Sequence, residues 1–152
     1  MKILFLDIDG VMNSELYYKS INTKKKNWSR FNPKAVEMIT RLVKEFNARI
    51  VISSLWRFAM KKELAQELKA SGLIKFLHKD WQTPVLQPGH RGKEIKMWLN
   101  QHPDILEYLI LDDDSDILEE HLARFVKTEI RDGMQEEHYY MARAILEVET
   151  LS

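Results

Sequence analysis

Residues 2–10 read KILFLDIDG, an uninterrupted apolar run from Ile3 to Leu6 that meets Asp7, Asp9 and Gly10 at once. A short apolar run ending in charge is the pattern of a parallel strand buried on both faces, with its carboxyl end open on a polar site. Side chains alternate along a strand, so Asp7 and Asp9 are expected to leave it on one side as a carboxylate pair. Two acids at the edge of an apolar core repel each other and lose solvation, unless a cation or a proton shared with substrate compensates. A chain that keeps such a pair is expected to use it.

The remaining segments fall into alternation around that strand. Val11 to Phe31 has no sustained period and carries Lys24, Lys25, Lys26, Trp28 and Arg30, so residues 11–31 are read as a long loop or flap over the strand end. Asn32 and Pro33 predict a helix start, with Val36, Ile39, Leu42, Val43 and Phe46 as its apolar stripe. Arg49 to Ser54 is a second buried strand ending in hydroxyls, and Arg57 to Ser71 is a helix with Leu64 and Leu68 inward, closed by Gly72. Leu73 to Asp80 is a weaker strand. A loop with two prolines leads to a helix at Arg91 to Gln101, buried through Ile95, Trp98 and Leu99. Tyr108 to Leu111 repeats the opening pattern and runs into Asp112, Asp113, Asp114 and Asp116. A short helix with Ile117, Leu118 and Leu122, an edge strand at Phe125 to Ile130 and a last helix to about Glu149, with Met141, Ala142, Ile145 and Val148 inside, complete the reading.

Strands alternating with helices predict an α/β, Rossmann-like three-layer sandwich with a mainly parallel sheet of about five strands. In such sheets ligands sit beyond the carboxyl ends of the strands, where Asp7/Asp9, Ser53/Ser54 and Asp112/Asp113 converge. With 152 residues, 45% of them hydrophobic, residues 1–152 are read as one domain. Lys plus Arg and Asp plus Glu both number 23, so no global field recruits nucleic acid or an anionic membrane. The absence of cysteine removes disulfides, thiolate nucleophiles and cysteine zinc sites. There is no signal-peptide pattern and no bilayer-length apolar run, so a soluble cytoplasmic protein with no membrane partner is expected. The five histidines lack ligand spacing and are read as structural or surface residues.

DIDG after a first strand, a serine closing a second, a basic residue opening a later helix and an acidic cluster closing a further strand resemble the four motifs of the haloacid dehalogenase (HAD) superfamily, in order and over nearly the whole chain. SSLWR, RGKEIKMWL, LDDDSD and the late GMQEE further resemble the small HAD domains of multidomain RNA-repair proteins. The resemblance implies a phosphatase in which Asp7 attacks phosphorus to form an aspartyl-phosphate and Asp9 serves as general acid and then base. It implies a divalent cation, magnesium, between Asp7, the backbone carbonyl of Asp9 and the late acidic cluster, with Asp112 and Asp113 the matching pair and Asp113 favoured as the contact. A phosphoaspartate receiver lacks the second acid at this spacing, so Asp9 is what predicts turnover.

Ser53 is expected to donate to a phosphoryl oxygen, with Ser54 the weaker candidate; both also fit a plain helix cap. Arg91 and Lys93 each qualify as the phosphate-balancing cation at a helix start, Arg91 slightly favoured by Gly92 behind it, and both also fit exposed helix charges. Asp116 is a candidate outer partner and Asp114 is expected to face solvent. Neither gap between motifs is long enough for a cap domain, and capless relatives imply a large phosphorylated substrate, such as a nucleic-acid end, or a homo-oligomer that completes the pocket. Tyr17, Tyr18 and Trp28 offer stacking surfaces and Lys24 to Lys26 with Arg30 offer phosphate contacts, against the plainer reading of a solvated lysine run. The alternative function is a non-catalytic phosphate- or nucleic-acid-binding module on the same fold.

Overall fold

A computed structural model describes residues 1–26 and 28–148, and it puts the opening apolar run at the centre of a sheet. The strands are β1 (Lys2–Leu6), β2 (Ala48–Ile52), β3 (Leu77–Gln82), β4 (Glu107–Asp112) and β5 (Phe125–Lys127). The helices are α1 (Glu15–Ser20), α2 (Pro33–Glu45), α3 (Trp56–Ala59), α4 (Lys61–Ser71), α5 (Arg91–Asn100) and α6 (Glu136–Glu147). Among the described residues the strands form one all-parallel sheet in the order β3-β2-β1-β4-β5. The chain builds outward from β1 to one edge, returns, and builds to the other, so the order reverses between β1 and β4.

Alternation along the strands divides the core into two layers. Leu4 pairs with Ile50 and Leu109, and Leu6 with Ile52 and Leu111. These side chains face α2 and α6 through Ile39, Leu42, Ala142 and Leu146. Ile3, Phe5, Val51 and Ile110 point the other way, onto Ile95 and Trp98 of α5. The Phe5 and Trp98 rings meet edge to face at 5.4 Å. Each such side chain fully removed from water contributes roughly 1.5–3 kcal/mol. That places the sheet between helices, as a three-layer sandwich. Between β1 and β2 lie only α1, its loop and α2, and between β2 and α5 only α3, α4, β3 and short connections, so the described residues contain no cap domain. No helix among them is long and apolar enough to cross a membrane.

Several boundaries differ from the sequence reading. The helix expected from Arg57 to Ser71 starts at Trp56 and breaks at Met60, whose backbone (φ −136°, ψ 46°) is not helical. Leu73–Phe76 is a 3-10 turn and β3 begins only at Leu77. The short helix after the acidic cluster is a 3-10 turn at Glu119–Arg124, and the edge strand stops at Lys127. In α6 the inward face is Tyr139, Ala142 and Leu146, whereas Met141 and Val148 are 51% and 64% exposed. The helix is turned so that the tyrosine, with more surface to bury, takes the core position. Glu149, the expected helix end, lies outside the described residues.

Candidate active site

Parallel pairing carries the ends of β1 and β4 to the same level. Leu6 lies opposite Leu111, and the Asp7 N–H donates to the Leu111 carbonyl at 3.1 Å. Asp7 and Asp112 therefore emerge side by side at the carboxyl edge, at the point where strand order reverses and where open α/β sheets bind ligands. Both are buried. One carboxylate oxygen each from Asp7, Asp112 and Asp113 lie within 4.8 Å of one another. Burial pushes the Asp7 carboxyl well above the ordinary aspartate value, the Asp112 charge adds to the rise, and the Arg91 guanidinium only partly opposes it. Burial likewise raises Asp112 against the pull of Arg91. Three oxygen donors, two of them held in an unfavourable charge state, fit a hard divalent cation.

The pairing inferred from sequence is thereby corrected. Alternation predicts Asp7 with Asp9, but β1 ends at Leu6 and residues 8–12 turn, with Val11 and Met12 N–H both donating to the Ile8 carbonyl. Gly10 makes the bend possible with φ +84°, and a Cβ there would lie 2.5 Å from the Asp113 carboxyl. The acids gathered with Asp7 are thus Asp112 and Asp113. Asp9 is exposed, and its carboxylate accepts from Asn13 Nδ2 at 3.0 Å and from the Trp56 indole Nε1 at 3.1 Å. Asn13 Nδ2 also donates to the Tyr18 hydroxyl, whose pKa is pushed up to about 12 by burial and by Asp9.

Arg91 opens α5 and reaches back to the acids. Its Nη1 lies 3.4 Å from Asp7 Oδ1 and bonds Asp112 Oδ2. Burial opposes its charge, but Asp7 and Asp112 more than offset that and hold the guanidinium protonated. The acidic loop fixes the helix start: the Arg91 N–H donates to Asp116 Oδ2 at 2.9 Å, and the Gly92 N–H to the Asp116 carbonyl at 2.8 Å. A Cβ on Gly92 would come within 2.7 Å of the Leu118 backbone N, so glycine lets the helix approach. Lys93, the other candidate cation, is exposed on a different surface beside Lys96, Leu118 and Glu120. Asp114 is exposed as expected, and its Oδ1 accepts from the Asp116 N–H.

The two serines separate. Ser53 N–H donates to the Leu6 carbonyl, which fixes the residue beside β1, while its Oγ is buried without a hydrogen-bond partner among the described residues. A buried hydroxyl without a partner is unfavourable unless something is meant to meet it. Ser54 Oγ accepts from the Trp56 N–H at 3.1 Å, a local serine turn leading into α3, whose N-cap position is Leu55. Behind both, Arg57 is wholly buried and donates to the carbonyls of Ser53, Ser54, Thr83 and Pro84 and to Glu94 Oε2.

The segment 11–31 holds a short helix, α1, and is tied down on two sides. Glu15 and Leu16 N–H donate to the carbonyls of Ile130 and Arg131. The buried Glu67 accepts from Ser29 Oγ and the Arg30 N–H, at 2.8 and 2.9 Å. Lys24, Lys25 and Lys26 are exposed, and the Arg30 guanidinium stacks 4.8 Å from the centre of the Trp28 ring. Sequence reasoning missed Asn13, Trp56 and Arg57. Trp56 and Arg57 left a trace only inside the SSLWR string, with no role attached to either, and Asn13 left none.

No curated protein and no solved structure matches the chain. A family model, the HAD domain in Swiss Army Knife RNA repair proteins, matches residues 3–139 of the 152, a span that includes every residue of the site above. Order of motifs, all-parallel topology and convergence at the strand ends agree with that match, and the chain belongs to this family of HAD domains.

Proposed function

We propose that the chain is a magnesium-dependent phosphomonoester hydrolase that passes the phosphoryl group through Asp7, acting on a large substrate such as a nucleic-acid end. The observation that carries this reading is the Asp7–Asp112–Asp113 cluster, with Asp7 and Asp112 buried and Asp113 half-buried, which core packing does not need, together with an arginine on Asp7 and a Ser53 hydroxyl that has no partner among the described residues. The alternative, a non-catalytic binding module, has no use for Asp7 and Asp9 together. Exposed Lys24 to Lys26 and the Arg30–Trp28 stack favour nucleic acid, through phosphate contacts and base stacking.

In the first half-reaction an Asp7 carboxylate oxygen attacks phosphorus, the bond to the leaving oxygen breaks, and Asp9 gives that oxygen its proton. Ser53 Oγ donates to a phosphoryl oxygen and Arg91 balances charge on the transferring group. In the second, Asp9 takes a proton from water as the water attacks the aspartyl-phosphate, and inorganic phosphate leaves with Asp7 restored. A hard divalent cation bound by Asp7, Asp112 and Asp113 would supply charge neutralisation between acids and phosphate. Asp9 stands apart from that cluster, as a residue that must carry a proton needs to.

Two expected outcomes follow from the geometry. Trp56→Phe keeps the buried ring and removes one of the two donors to Asp9, the indole N–H that accounts for Oδ2. Turnover of an alkyl phosphate, which needs the acid, should fall about tenfold or more, within the roughly 10²–10⁴ that general acid catalysis supplies. An aryl phosphate with a good leaving group should lose far less, and steady-state rates on the two esters check this. Gly10→Ala should displace the Asp113 carboxyl and weaken magnesium binding on the order of 10–100-fold, read by isothermal titration.

The function itself is tested by phosphate release from small phosphomonoesters and from 5′- and 3′-phosphorylated oligonucleotides, with magnesium or with EDTA. Release that requires magnesium and favours oligonucleotides is expected. Oligonucleotide binding without release from any ester would favour the non-catalytic module instead.

A further inference from the structure

Leu55 and Phe58 after β2 and Val85 before α5 leave 57%, 43% and 46% of their surfaces exposed. All three line one cleft of about 360 Å³, within the roughly 300–1,000 Å³ typical of small-molecule sites. Arg91, Asp114 and Asp116 line it too. Arg91 is the side chain that lies 3.4 Å from Asp7, so the cleft continues directly from the cluster where phosphorus would sit.

Its walls are also preformed. The Leu86 N–H donates to Glu94 Oε2, and the same oxygen accepts from Arg57, which also holds the Pro84 carbonyl. One buried ion pair thus fixes α3, the loop and α5 relative to one another, which lowers the ordering cost of binding. Charge selects the occupant. Two exposed carboxylates repel a second phosphate, and apolar side chains gain nothing from one. An uncharged ring gains burial against Phe58, and ring amino groups find acceptors in Asp114 and Asp116.

We infer that this cleft is the leaving-group subsite and takes the uncharged aromatic part of the substrate, which in a nucleic-acid end is the terminal nucleobase. The inference rests on the phosphatase reading for its chemistry, but binding tests it separately. Wild type and Phe58→Ala are titrated, in magnesium, with two phosphonates that cannot be hydrolysed, benzylphosphonate and ethylphosphonate. Phe58 is partly exposed, and a matching circular dichroism melt verifies the fold of the variant. Wild type should bind the benzyl compound about tenfold more tightly, within the range of ring stacking, and Phe58→Ala should lose that preference. Equal binding of the two by wild type, binding of neither, or a preference that survives in Phe58→Ala would overturn the inference. Benzyl preference without phosphate release from the corresponding esters would keep the subsite and overturn the phosphatase reading.

Discussion

Asp7→Asn is expected to abolish magnesium-dependent phosphate release, by a factor on the order of 10⁴–10⁶ as for other lost nucleophiles, and at the same time to make the metal-free protein more stable. The two effects have one cause. Burial first, and the Asp112 charge second, hold the Asp7 carboxyl well above the ordinary aspartate value of 3.8. Between that value and the raised one, the folded chain binds more protons than the unfolded chain. Stability is therefore greatest below the ordinary value and declines as pH climbs through the raised one. Asparagine resembles the protonated acid and escapes the decline, so in EDTA near neutral pH the variant should melt above wild type. Each kcal/mol relieved appears as roughly 2–4 °C in a chain of this length. Magnesium should raise the wild-type midpoint and leave the variant nearly unmoved. Thermal melts of both proteins, with EDTA and with magnesium, check all three statements.

Arg57→Ala should have the largest effect on stability. The guanidinium is wholly buried, lies 3.0 Å from Glu94 Oε2, and satisfies four backbone carbonyls around the end of β2 and the loop before α5. Truncation leaves the Glu94 charge buried without its cation and removes the guanidinium donors from those carbonyls, of which Ser54 keeps the residue-57 backbone N–H, a loss of about 3–5 kcal/mol, and so a midpoint lower by roughly 6–20 °C. Arg57→Lys should recover only part of it, because one ammonium does not reproduce the planar fork. Urea unfolding of the three proteins measures the differences. A loss under 1 kcal/mol in Arg57→Ala would mean that the ion pair organises little of what surrounds it.

What could be read from the sequence divides along physical lines. β1, β2 and β4 are legible because each is buried on both faces and so continuously apolar. β3 reads LHKDWQ, half-buried at the sheet edge, and its start is obscured by the 3-10 turn before it. The break at Met60 carries no glycine or proline to announce it. Asp7, Ser53, Arg91, Asp112 and Asp113 are legible because each stands at the end of a strand or the start of a helix, and topology brings those ends together. Local alternation does not reach Asp9, since β1 ends at Leu6 and the chain turns from Ile8 to Met12. The donors to Asp9 are invisible in the sequence for another reason. Trp56 is 47 residues from Asp9 along the chain, and only the pairing of β1 with β2 sets the two together.

The central claim, that phosphorus passes through Asp7, is tested most directly by trapping. Wild type is mixed with magnesium and a phosphorylated oligonucleotide, quenched in acid within milliseconds, reduced with borohydride and digested for peptide mass analysis. Reduction of an aspartyl-phosphate converts that aspartate to homoserine, and the change is expected at Asp7 alone. Continued phosphate release with Asp7 recovered unaltered would contradict the account, since water would then be attacking phosphorus directly.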